Sequence, residues 1–307
     1  MENTLGELLK SYCALSDEAH VLIVTDASQR HISDMISSSL PNECSTVEFS
    51  KDSEILNRMR GLLPHDLLLV ILGFDTYVNE GASRFFSPFG KPDGVTAKYA
   101  FVRLGISAES LQQGLSTPID TVTNKIREME RFDPEHEIHI RSAAGTDIRL
   151  RANKFITCSH FITEDGGYAF LPPSETSSDV VLGSANGRIV VDVTVGQLYH
   201  YGKLLGEFGL VPSPVTITVQ NGIVTDIFGC SMADELKSKL FALPSECREL
   251  VELGQGLSLM KPTGLIGVDE SIITTCHFGI GDGAKCGLHL DVVINSPIIS
   301  VLNEEIG

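Results

Sequence analysis

Asp66–Leu72 reads DLLLVIL and stops at Gly73. After its first residue the run is apolar without alternation, too short for a surface helix, and closed by a glycine. Those features mark a strand buried on both faces, the kind found in parallel sheets covered by helices. Upstream, His20–Thr25 (HVLIVT) is a second run of this kind, and Asp26 or Ser28 behind it can cap a helix through Leu40. Glu48 and Phe49 begin a short strand, and Ser53–Leu63 carries helical apolar spacing at Ile55, Leu56, Met59 and Leu63. Downstream, Tyr99–Leu104 (YAFVRL) reads as a strand, Ser107 opens a helix through Leu115, and Ile119–Phe132 is a more periodic helix. This alternation predicts an α/β domain with a doubly wound, mainly parallel sheet over residues 1–133.

From about residue 136 the texture changes. His136–Arg141 (HEIHIR) alternates, Gly145-Thr146-Asp147 turns, and Ile148–Arg151 alternates again. Gly187–Val195, Val215–Val219 and Gly222–Phe228 continue the pattern, with hairpin-type turns at Asn186-Gly187 and Asn221-Gly222. Met232–Ala242 reads as one helix. A β-rich α+β domain is expected over residues 134–307, and 307 residues agree with a soft prior of about two domains.

Lys and Arg number 23 against 40 Asp and Glu, a net charge of −17. So acidic a surface repels phosphate backbones and anionic headgroups, which argues against nucleic acid and membrane surfaces as partners. Small molecules, peptides and cations remain. The seven cysteines are scattered without CxxC spacing, as expected of free thiols in a reducing compartment. No basic segment followed by an apolar one opens the chain, and no apolar run approaches the ~18–20 residues of a membrane span. A cytoplasmic location is therefore expected. Neither GxGxxG nor GxxxxGK[ST] occurs, so a nucleotide site would lack its phosphate-cradling loop.

Metal-capable side chains concentrate late in the chain. His289 and Asp291 stand two apart, which in a strand puts an imidazole and a carboxylate on one face. His277 lies upstream across the glycine-rich IGDGAKCG, a loop able to turn the chain back so that the three groups converge. Glu252, among apolar residues and glycines in LVELGQGL, is a carboxylate whose charge calls for a partner. In the first half, Lys91, Lys98 and Arg103 collect positive charge, and Arg103 near a strand end could clamp a substrate carboxylate.

Several segments in a fixed order also resemble a known family. Leu171-Pro172-Pro173-Ser174-Glu175 followed by Asn186 to Asp192, then Glu252-Leu253-Gly254-Gln255-Gly256, Thr263 through Asp269-Glu270-Ser271 to His277–Asp282, and His289-Leu290-Asp291 are similar to motifs of the metallo-aminopeptidases of the aminopeptidase T and S type. The resemblance covers roughly residues 136–295. It implies one or two divalent ions (Zn, Co or Mn) held by Glu175, Glu252, His277, His289 and Asp291, with Glu175 and Glu252 catalytic. It further implies a hydrolase cleaving an N-terminal peptide bond or a small amino-acid amide, and a homodimer. At the position of the family tyrosine stands Ala284, and Asp282 and Lys285 are the nearest polar groups of that loop to substitute for it, Asp282 as a substrate-binding candidate. Two other readings accompany the hydrolase: a non-hydrolytic binding member of the fold, and a mononuclear Fe(II) ring-cleaving dioxygenase of the dihydroxypyridine type using His277, His289 and Asp291. Retention of Glu175 and Glu252 ranks the dioxygenase last.

Overall fold

The computed structural model describes residues 4–49, 53–132 and 136–302. The expected domain boundary, between residues 133 and 134, falls outside the described residues. The chain divides into two compact units. One takes the residues up to Val122 together with Cys158–Ser174; the other takes Thr123–Thr157 and everything from Glu175 onward.

In the first unit a five-stranded parallel sheet runs in the order Cys44–Glu48, Val21–Thr25, Leu67–Ile71, Lys98–Val102 and Tyr168–Leu171. Every residue of Val21–Thr25 and Leu67–Ile71 is buried, as their uninterrupted apolar character requires. Cys44–Glu48 starts earlier than Glu48; it is an edge strand, only partly buried, and so lacks an apolar signature. The carboxylate of Asp26 accepts from the amides of Gln29 (3.0 Å) and Gly73 (2.6 Å) and from the Ser28 hydroxyl (2.6 Å). It thereby ties together the ends of the two central strands instead of capping the helix Arg30–Ser39 directly.

The three basic residues singled out in the sequence of this unit each make a contact within it. Lys98 is buried, donates to the Ala14 carbonyl at 2.6 Å and faces Asp165 at 3.3 Å. Lys91 donates to the Gly166 carbonyl at 2.6 Å. The Arg103 guanidinium lies 4.9 Å over the Phe170 ring.

The second unit is built on two antiparallel sheets. Six strands run in the order Ile223–Phe228, Val215–Gln220, Asn186–Val191, Asp147–Leu150, Glu137–Arg141 and Ile298–Leu302. Seven run in the order Gly209–Leu210, Thr194–Val195, Leu290–Asn295, Thr275–Ile280, Leu250–Gly256, Glu175–Asp179 and Ile156–Thr157. Alternate residues of both sheets enter one core: Ile140, Ile189 and Ile217 from the first meet Leu253, Phe278 and Val292 from the second, and the helix Ser231–Phe241 adds Leu236 and Leu240. The opposite face of the seven-stranded sheet is therefore free to carry polar groups. The architecture is thus an α/β domain with a mainly parallel sheet and a larger, β-rich part. All seven cysteines are free. Among the described residues no helix is long and apolar enough to cross a membrane.

Candidate metal centre

Register places the late polar residues on one face of the seven-stranded sheet. Across three strands Glu252 pairs with Gly279, and Gly279 with Asp291. In the next row of that face, Gly254 pairs with His277, and Ser177 with Gly254. One row further, Glu175 pairs with Gly256. Because side chains two apart on a strand share a face, the register alone gathers Glu175, Glu252, His277 and Asp291. His289, just before its strand, turns back over Gly279.

The side chains meet. Nε2 of His277 lies 3.3 Å from Oε2 of Glu175 and 3.9 Å from Oε1 of Glu252. Nε2 of His289 lies 3.1 Å from Oε2 of Glu252 and 3.1 Å from Oδ1 of Asp291. One ligand atom each from Glu252, His277 and Asp291 lies within 4.8 Å of the others, a spacing that one cation can bridge. Glycine makes this crowding possible. A Cβ on Gly254 would overlap the imidazole of His277, and one on Gly279 would stand 2.7 Å from Cε1 of His289 and 2.8 Å from Cβ of Glu252.

Electrostatics match a site built for a cation. Burial works against charge on Glu252, yet His277, His289 and the Ser177 hydroxyl hold it well below the usual carboxylate range. Burial likewise opposes protonation of His277, but Glu175 and then Glu252 raise its pKa to about 10. For His289, hydrogen bonding to Asp291 and Glu252 outweighs burial and raises it to about 11. In the ion-free chain two imidazolium protons thus supply positive charge among three carboxylates, where a divalent ion would replace them. His289 is already set for this: its Nδ1–H donates to the Gly281 carbonyl at 3.2 Å, leaving Nε2 to face the carboxylates. The cluster fits a divalent metal.

The five ligand candidates read from the sequence come together. Of the two substrate-binding candidates, Arg103 belongs to the first unit. Asp282 caps the turn Gly283–Cys286, accepting from the amides of Ala284 (2.9 Å) and Lys285 (3.2 Å), and faces the Lys285 ammonium at 3.1 Å. Sequence reasoning passed over Ser177, whose hydroxyl supports Glu252. Its signal was position alone, two residues after Glu175 on the same face of a strand.

Such a cluster on one face of a β-sheet is a candidate site for a divalent metal. A family model described as NicX, 2,5-dihydroxypyridine 5,6-dioxygenase, matches residues 107–249, a stretch that includes Glu175 but none of the other four. Among solved structures, the 2,5-dihydroxypyridine dioxygenase of Pseudomonas putida KT2440 is similar with a TM-score of 0.58 at 16% identity, covering 98% of this chain and 97% of that one. Wild-type AmpT from Thermus thermophilus is similar with a TM-score of 0.53 at 13% identity, covering 98% and 95%. At such identities the likeness shows the fold. No curated protein matches.

These findings correct the resemblance to the aminopeptidase T and S type. With it go the hydrolase, metallopeptidase and aminopeptidase activity and the peptide or amino-acid-derived substrate, because the matching family model is that of a ring-cleaving dioxygenase. The physical reason is plain. Carboxylates and imidazoles converging on one sheet face serve metal-assisted hydrolysis and oxygen chemistry alike, so the ordered motifs report a fold and a cation site without reporting the reaction.

Proposed function

We propose that this chain is a ring-cleaving dioxygenase acting on a small hydroxylated aromatic heterocycle of the dihydroxypyridine kind, with a single Fe²⁺ as its metal. The observation that carries the reading is the match of residues 107–249 to the dihydroxypyridine dioxygenase model. The geometry of the cluster supports it. His277, His289 and Asp291 supply two imidazoles and a carboxylate, the set that suits non-haem iron in oxygen chemistry. Glu252 lies between the two imidazoles as a fourth group. A ferrous ion held there would supply the redox chemistry that lets dioxygen react with a closed-shell ring.

The protein's own groups do the rest. Glycines 254 and 279 leave room for the imidazoles to lie against the sheet, so the ligands are placed before any ion arrives. Glu175 is a quarter exposed at the edge of the cluster, where its carboxylate is placed to accept the proton of a ring hydroxyl as the substrate docks.

The test is anaerobic reconstitution with Fe²⁺, followed by oxygen uptake on a panel of dihydroxypyridines and other hydroxylated aromatics. One O₂ should be consumed per ring opened, Zn²⁺ should not substitute, and Glu252→Ala should abolish uptake. An iron-loaded chain that consumes no oxygen with any member of the panel would refute the reading.

A further inference from the structure

Two thiols meet on the core side of the loop that carries His289. Cys247 belongs to the turn Ser245–Arg248, and Cys286 closes the turn Gly283–Cys286. Both enter the core shared by the two sheets, with 1% and 4% of their surface exposed. The Cys247 thiol donates to the Cys286 carbonyl at 3.6 Å, and the two sulfurs are themselves within hydrogen-bonding reach of each other. The Cys286 thiol donates to the Leu288 carbonyl at 3.7 Å, one residue short of the metal ligand.

This loop has little freedom to absorb a displacement. At its start the Gly281 amide donates to the Glu249 carbonyl at 2.7 Å, and a Cβ on Gly281 would stand 3.2 Å from the Cys247 carbonyl oxygen. Further along, the Gly287 carbonyl accepts from the Tyr201 amide at 2.7 Å. The Tyr201 ring lies so close over Gly287 that a Cβ there would be 2.5 Å from it. The loop is thus pinned between the turn 245–248 and Tyr201. Its two ends place His289: the Gly281 carbonyl accepts the Nδ1–H at 3.2 Å, and the backbone of His289 follows Cys286 by three residues.

We propose that Cys247 and Cys286 form a reversible disulfide under hydrogen peroxide, and that, on the metal-centre reading above, this bond weakens the hold on the metal by shifting His289. The Cys286 sulfur attacks one peroxide oxygen, the O–O bond breaks, and a sulfenic acid and one water result. The Cys247 sulfur then displaces the sulfenic hydroxyl as a second water and closes the S–S bond. Two thiols give up two electrons and two protons, and one peroxide becomes two waters. Burial and the neighbouring Cys286 thiol push the Cys247 thiol up to about 12, so the more exposed Cys286 meets the peroxide and Cys247 resolves it. The bond draws the two sulfurs from contact to covalent distance and removes both S–H donors. The carbonyls of Cys286 and Leu288 lose those partners, and the pinned chain passes the movement on to His289.

The test treats the full, ion-free chain with graded hydrogen peroxide, maps its cysteines by mass spectrometry after alkylation, and then titrates Co²⁺. Wild type should yield a linked Cys247–Cys286 peptide, lighter by two hydrogens than its two thiol halves. Its Co²⁺ affinity should fall by about 10–100-fold, the cost of disturbing what supports a ligand, and return with a dithiol reductant. Cys286→Ser should bind Co²⁺ like reduced wild type and keep that affinity after peroxide. Cys247→Ala should leave Cys286 as a sulfenic acid that a dimedone probe captures. No linked peptide in wild type would overturn the proposal, a result that needs no variant to fold. A linked peptide with unchanged Co²⁺ affinity would overturn it too, as would a Cys286→Ser chain that loses affinity to peroxide as wild type does. Reduced wild type that binds no Co²⁺ would remove the metal-centre reading and the switch with it, whereas normal Co²⁺ binding without a bridge would remove this proposal alone.

Discussion

A methyl group on Gly254 would stand where the His277 ring lies, and that ring has no other place on a fully buried strand. Gly254→Ala should therefore weaken divalent-metal binding by ~100-fold or more, the upper end of what losing a ligand's support costs. Gly279→Ala should be milder, because the atoms it meets at 2.7–2.8 Å include the edge of a partly exposed imidazole that can turn. Titration with Co²⁺ on variants shown by circular dichroism to keep their sheet content checks both; equal affinities would contradict this use of the glycines. The same residues set a pH dependence. His277 and His289 have folded pKa values raised to about 10 and 11, so their protonation stabilises the ion-free chain fully below about 6.5 and is lost as pH rises through those values. Glu252 runs the other way: depressed in the fold, its contribution is present above its ordinary 4.5 and is lost only in strong acid. Binding an ion requires neutral imidazoles, so metal affinity should rise with pH from 7 to about 10 with release of up to two protons per ion. Calorimetric titration in two buffers of different ionisation enthalpy measures that number. A value of zero would be incompatible with coordination through both histidines.

At the scale of elements, legibility followed burial. Leu67–Ile71 and Val21–Thr25 could be read because parallel strands covered on both faces need unbroken apolar runs. Cys44–Glu48 could not, since an edge strand with partial burial has no such need. Tyr168–Leu171 alternates in burial like the antiparallel strands around it, and only its pairing with Lys98–Val102 assigns it to the parallel sheet. A contact across some 70 residues leaves no local trace in the chain. The segment 263–272 is held by one buried carboxylate, Asp269, which accepts from two backbone amides and from the hydroxyls of Thr263 and Thr194. Asp269→Ala would leave those amides unanswered at ~1–3 kcal/mol each. Chemical denaturation should show a loss of that order, together with weaker metal binding through the displaced segment. A variant as stable as wild type would show that the segment is held by something else.

For the whole molecule, the five cluster residues were legible because ordered motifs with fixed spacing constrain which strands must lie together. Their reaction was not. Glu175, Glu252, His277, His289 and Asp291 offer hard oxygen and borderline nitrogen donors that accept Zn²⁺, Mn²⁺ or Fe²⁺, and nothing in their types separates water activation from oxygen activation. Even the absence of the tyrosine at Ala284 said only that a hydrolytic site would be incomplete. An ion bound by residues that are far apart along the chain also stabilises the fold by linkage. At a hundredfold excess over its Kd it adds ~2.7 kcal/mol. The melting temperature should therefore rise by several degrees with Fe²⁺ or Co²⁺ and return with a chelator, and calorimetry showing no shift would count against the cluster as a metal centre. The most direct test of the account follows the oxygen atoms. Iron-loaded protein given a dihydroxypyridine under ¹⁸O₂ should yield a ring-opened product carrying both labelled atoms by mass spectrometry. Product whose new oxygen comes from water, or no product at full iron occupancy, would contradict it.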